Sequence, residues 1–246
     1  MGANVNLKGE TALVVGGTRN IGLAVAASLR EAGAMVCIVG GSDASALENA
    51  LTDLHADDGG ATGLIADISD EAAVGEAFDQ AEQALGPVSI LINGPGYRPH
   101  GPFSDTSLDD WQAVINVMLT GPFLTCRELF RRLPADRKAA IVNIGGLSAH
   151  RPAKDRAHVI SAKSGVVGLT RAVAAEGLGR IRANCVVPGL IVTQRKDGQP
   201  QAHFSNDTQA HGSTADVART VLAFSDPIDS YITGQTVHVS GGRYMP

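Results

Sequence analysis

The chain has 246 residues, 44% of them hydrophobic and 18% charged, with 29 glycines, a composition that fits a compact globular protein able to bury a large core. Its formal net charge is −5 and no run of Lys or Arg stands out, which argues against nucleic acid or an anionic membrane surface as a partner. No apolar stretch approaches the roughly 20 residues of a membrane span.

Along the chain, short apolar runs alternate with longer segments of helical spacing. Residues 11–16 (TALVVG) read as a buried strand ended by Gly-Gly, and 21–32 as a helix that stops before Gly33. A strand over 34–39 and a helix over 44–56 follow. Further strands are predicted at 62–67, 88–93, 139–145, 182–187 and 235–239, with helices at about 71–85, 108–133, 156–178 and 214–224. Such alternation implies a parallel sheet covered by helices on both faces. The expected fold is a single α/β domain over residues 1–246, a Rossmann fold with one doubly wound, mostly parallel sheet of seven strands. The long polar stretch at about 194–212 is expected to be a substrate lid, spanning about 190–213 at its widest. Residues 1–8 lack the basic and apolar regions of a signal peptide, and Asn6 breaks the myristoylation pattern. Cys37, Cys126 and Cys185 are odd in number and far apart. They read as reduced core residues of a cytoplasmic protein, with no metal site and no disulfide frame.

The first strand runs into Gly16-Gly17-Thr18-Arg19-Asn20-Ile21-Gly22 and then a helix. Glycines there let the backbone approach a pyrophosphate, and the helix N-terminus offers N–H groups and a positive dipole end. Asn20 stands where glycine is commoner. Asparagine is the substitute that best tolerates a left-handed backbone.

These residues resemble the short-chain dehydrogenase/reductase family, and the resemblance covers nearly the whole chain. The family's glycine motif reads here as Val15-Gly16-Gly17-Thr18-Arg19-Asn20-Ile21-Gly22. Its adenine-contacting acid matches Asp67, followed by Ile68, and its Asn-Asn-Ala-Gly reads as Asn93-Gly94-Pro95-Gly96. Pro188-Gly189 matches the motif after the sixth strand, with Ile191 and Thr193 beyond it, the latter where the family meets the nicotinamide amide. The resemblance implies a nicotinamide dinucleotide held by these residues, by Ser42 and by Lys163. It also implies pairing through the helices at 108–133 and 156–178 into a homodimer or homotetramer.

NAD readers place an acid at the end of the second strand. Here that place reads Val39-Gly40-Gly41-Ser42, and Asp43 is expected to fall a little late. Arg19 sits where NADP-preferring relatives carry a basic residue, so NADP is expected over NAD, with Arg19 pairing a 2′-phosphate.

The family's chemistry uses a tyrosine, a lysine four residues later, a serine thirteen residues before the tyrosine, and an asparagine on the preceding long helix. Lys163 matches the lysine. Counting back gives Val159 for the tyrosine and Gly146 for the serine, and Met118 stands at the asparagine's place. Three of the four groups are thus side chains that cannot donate a proton, although general acid–base catalysis contributes roughly 10²–10⁴-fold. Candidate stand-ins are Ser148, His150, His158 and Lys163 itself. Tyr97, Arg98, His100, Arg151, Lys154 and Asp155 also lie in segments that border the substrate pocket in similar proteins, a rim that suits an anionic substrate. Three readings follow. The first is an oxidoreductase on a small carbonyl or alcohol with a non-standard site. The second is a non-redox enzyme on this fold, a dehydratase, decarboxylase or cyclase. The third is a catalytically silent dinucleotide-binding regulator or partner subunit.

Overall fold

A computed structural model describes residues 5–194, 211–228 and 230–246. Seven parallel strands form one sheet in the order β3-β2-β1-β4-β5-β6-β7. They are β1 (Thr11–Val15), β2 (Met35–Gly40), β3 (Ala61–Ile65), β4 (Val88–Asn93), β5 (Ala139–Ile144), β6 (Ile181–Pro188) and β7 (Thr236–Val239). Helices α1 (Asn20–Glu31) and α2 (Ala44–Asp53) flank the first three strands. They are followed by α3 (Glu71–Leu85), α4 (Leu108–Ile115), α5 (Gly121–Arg132), α6 (Ala157–Glu176) and α7 (Thr214–Phe224). The predicted doubly wound Rossmann architecture is what forms. The lid expected at about 190–213 falls largely on 195–210, outside the described residues.

Both faces of the central strands are buried, which is why they read as nearly continuous apolar runs. On one face Val14, Ile38, Ile92, Val142 and Val186 pack with α1 and α7. On the other Leu13, Cys37, Leu91 and Ile141 pack with Phe78 of α3 and Leu129 of α5. Local chemistry starts the helices. Asp43 caps α2 through the Ala46 N–H at 3.0 Å, Asp70 caps α3, Ser107 caps α4, and Ser213 with Asp216 forms a capping box on α7.

The helix predicted over 108–133 is continuous in direction but not in type. Between α4 and α5 the residues Asn116–Thr120 form a π-helical turn. Periodicity alone misses one extra residue per turn. Such turns concentrate at functional sites, and this one holds Met118.

Strand order reverses between β1 and β4, so a crevice opens there at the carboxyl ends of the strands. Main-chain bonds knit those ends together: Gly16 N–H to Val39 O at 2.9 Å, Gly94 N–H to Val15 O at 3.0 Å, and Gly189 N–H to Val239 O at 2.9 Å.

Candidate functional site

The glycine turn leaves no room for side chains. Gly16 has φ 77°, and a Cβ on it would lie 2.6 Å from the Gly94 carbonyl oxygen; one on Gly22 would lie 2.0 Å from the Gly16 carbonyl oxygen. Asn20 adopts φ 51°, the left-handed backbone expected of it. Its side chain forms a reciprocal pair with the end of the β6 exit segment: Nδ2 donates to Gln194 O at 3.0 Å, and the Gln194 N–H donates to Oδ1 at 2.9 Å. Beyond β2, a Cβ at Gly41 would meet nothing within 4 Å, so the backbone beside Ser42 is open on that side. Asp67 lies past β3. Its carboxylate accepts from the Ser69 hydroxyl at 2.6 Å and the Ser69 N–H at 2.9 Å, which together hold it below the usual carboxylate range. Ile68 is buried, and Gly121 of α5 packs against it. This cradle fits a nicotinamide dinucleotide: bare backbone and the N-terminus of α1 for the pyrophosphate, an exposed acid past β3 for the adenine, and the segment leaving β6, with Pro188, Gly189, Ile191 and Thr193, tied to the glycine turn through the Asn20–Gln194 bonds.

Two of the matched residues have partners within the fold. The Asp43 carboxylate pairs with the Arg19 guanidinium while also capping α2. A 2′-phosphate would therefore meet Arg19 already engaged by an acid. The Asn93 side chain does not face the crevice. It is buried, donating to Asn143 Oδ1 at 3.0 Å and accepting from Thr125 Oγ1 at 2.8 Å, and Asn143 in turn donates to Thr170 Oγ1 at 2.9 Å. This polar chain ties β4, β5, α5 and α6 together across the core. Sequence reasoning missed it, because its members stand 27 to 50 residues apart.

At the expected catalytic positions, Met118 and Val159 pack into one apolar cluster with Val114 and Ala162. Gly146 lies directly against two other groups. A Cβ there would lie 3.3 Å from Lys163 Cγ and 3.6 Å from Ser148 Oγ. Lys163 is buried, and its ammonium donates to Ile144 O at 2.7 Å. Burial first, then the charge of Arg98, brings its pKa down to about 8. The Lys163 stem and the Ser148 hydroxyl thus both lie beside Gly146. His150 lies elsewhere: its ring stacks edge-on against His238 of β7, centroids 4.4 Å apart, and lies 5.1 Å from the Tyr244 ring. His158 is 2% exposed, one step around α6 from Val159, and its Nδ1 has no hydrogen-bond partner among the described residues.

A family profile described as enoyl-(acyl carrier protein) reductase matches residues 15–243. The chain belongs to the short-chain dehydrogenase/reductase family. It is 33% identical over 248 residues to a (2S)-[(R)-hydroxy(phenyl)methyl]succinyl-CoA dehydrogenase subunit, BbsD, of Thauera aromatica, covering 98% of this chain and 99% of that one. It is 31% identical to the 3-oxoacyl-[acyl-carrier-protein] reductase FabG of Aquifex aeolicus, with 98% and 99% covered. Among solved structures, a dehydrogenase/reductase from Sinorhizobium meliloti superposes with TM-score 0.88 at 29% identity, covering 97% of this chain and 96% of that one. As a member of this oxidoreductase family the chain has the fold its motifs imply. Among the described residues no helix is long and apolar enough to cross a membrane, and no group of three or more His, Cys, Asp or Glu is placed to hold a metal ion.

Proposed function

We propose that this protein is an NAD(P)-dependent oxidoreductase acting on a small carbonyl or alcohol substrate through a non-standard site. The observation that carries this reading is an intact cradle together with Ser148 and the Lys163 side chain beside Gly146. When bound, the dinucleotide supplies or accepts hydride, chemistry that belongs to the cofactor. The Ser148 hydroxyl would orient the substrate oxygen. Lys163, protonated below about pH 8, would give that oxygen its proton in reduction and take it back in oxidation. NADP is the favoured dinucleotide: the open backbone at Gly41 and Ser42 leaves room for a 2′-phosphate beside Arg19, which would exchange its Asp43 carboxylate for that phosphate. Relatives named as a dehydrogenase of a hydroxyl-bearing succinyl-CoA and as a reductase of 3-oxoacyl groups support a hydroxy/oxo substrate pair.

One observation favours a second reading, a silent partner subunit. Met118 and Val159 close the usual proton-relay positions with packed hydrocarbon, and BbsD is itself named a subunit. Titration of NADPH and NADH, followed by nicotinamide absorbance with 3-oxoacyl and simple ketone substrates, separates the two. Tight NADPH binding with consumption that falls in Ser148→Ala and Lys163→Ala supports the enzyme. Binding without consumption supports the subunit, and no binding of either dinucleotide overturns both.

A further inference from the structure

Two segments meet at the rim of the crevice: the loop after β4, residues 97–101, and the chain entering α6, residues 155–158. The Gly101 N–H donates to Asp155 O at 3.1 Å, and Asp155 takes φ 63°, a left-handed backbone, at this junction. Together they bring Arg98, His100, Arg156 and His158 to one place, and Asp155 is the acid among them. The charge of Arg156 acts on both Arg98 and His100, and that of Arg98 on Lys163.

Arg98 and Arg156 lack what most arginines among the described residues have. Arg30, Arg132 and Arg137 reach carboxylates, and Arg180 and Arg182 reach main-chain carbonyls. Neither Arg98 nor Arg156 makes a side-chain hydrogen bond or ion pair among the described residues. Arg98 is an exposed residue, yet enough protein surrounds its guanidinium that burial, ahead of the repulsion from Arg156, holds it below the usual arginine value. Two like charges held together at partial desolvation cost free energy unless an anion joins them. Two further features point the same way. Arg156 gives α6 no side-chain cap, so the first-turn N–H groups are unspent, and the buried His158 has an unpartnered ring nitrogen.

We propose that Arg98, Arg156 and the first turn of α6, with His158, form an oxyanion subsite that docks a carboxylate or phosphate carried by the substrate. It deepens, and rests on, the reading that this crevice takes a small-molecule substrate. The forked guanidinia bind such a group through paired hydrogen bonds, and the subsite would hold the reacting carbon's neighbour rather than the carbon itself.

The test uses the full chain and needs no turnover. Succinate and inorganic phosphate are titrated by calorimetry at low salt, with dimethyl succinate as the neutral control. The expected result is saturable binding of at least one anion, none of the ester, and weakening as salt rises. Arg98→Gln and Arg156→Gln should each weaken that binding about tenfold, while the melting temperature without anion does not fall and dinucleotide affinity stays put. Tighter succinate marks a carboxylate ligand, and tighter phosphate marks a phosphorylated carrier. Absence of saturable anion binding, or equal affinity in both variants, overturns the subsite. Failure of the redox reading shows separately, as dinucleotide that binds and is never consumed while the anion still docks.

Discussion

Lys163 carries an ammonium into the protein interior with one carbonyl as its partner, and pH makes the cost measurable. Its folded pKa is about 8 against an ordinary 10.5, so between those values the unfolded chain binds more protons than the folded one. Stability should therefore rise with pH across that window. The penalty is fully present below pH 8 and relieved above 10.5, and the difference is about 3 kcal/mol at 1.36 kcal/mol per unit. Lys163→Met should remove this rise, which chemical denaturation of both proteins at several pH values would read as a difference curve. A flat difference would mean the ammonium is solvated. At Asn20 the residue type alone announced the backbone: a non-glycine in a glycine motif had to be one that tolerates φ > 0. Its bonds to Gln194 were not legible, because they depend on where β6 ends. Asn20→Gly should ease the backbone but lose both bonds. We expect little change in melting temperature and a several-fold change in dinucleotide affinity, checked by fluorescence titration.

Elements were legible to the extent that one pattern defined them. Strands β1, β4 and β5 were found because burial on both faces leaves few polar residues to interrupt the run, and α3 and α7 because their apolar residues follow helical spacing. The π turn at Asn116–Thr120 escaped because it changes hydrogen bonding without changing composition. The candidate site was half legible. The cradle follows from backbone-specific residue types, whereas the neighbours of Ser148 and His150 depend on how the loop after β5 turns. The π turn also explains the apolar cluster. Met118 projects from it onto Val159 and Ala162, so a polar group there has no partner waiting. Met118→Asn should cost about 2 kcal/mol, as an amide buried without a hydrogen bond does. Urea unfolding of the single variant checks this. If the variant matches the parent in stability, the cluster is wet and the relay position is still open. Cysteine placement is an element property too, since all three sit within strands or α5. Burial pushes the thiols of Cys37 and Cys126 up to about 12 and that of Cys185 to about 11. Thiol reagents should thus leave the folded protein unlabelled and react with all three sites only on unfolding, which mass spectrometry would count.

At the scale of the whole molecule, the sheet ends in an open edge. Among the described residues, strand β7 closes the order β3-β2-β1-β4-β5-β6-β7 and has β6 on one side only, so its outer N–H and C=O groups are open to another chain. Tyr231, just before β7, is fully exposed, and so is much of Met245 near the C-terminus. A second apolar surface lies on the long helices, where Leu108 is 77% and Phe123 44% exposed. Single exposed apolar residues are ordinary, but two separate sets, one beside an unpaired strand, suit contacts between copies. We expect a homodimer or homotetramer, so light scattering should give an integral multiple of the 25.4 kDa chain, and a monomeric mass would refute the expectation. Charge substitutions assign the surfaces. If Phe123→Glu halves the mass while Tyr231→Glu leaves it, the helices carry the dimer; the opposite pattern assigns it to the β7 edge. A tetramer that each substitution reduces to a dimer uses both surfaces, because two distinct two-fold contacts are what build four chains into a closed assembly.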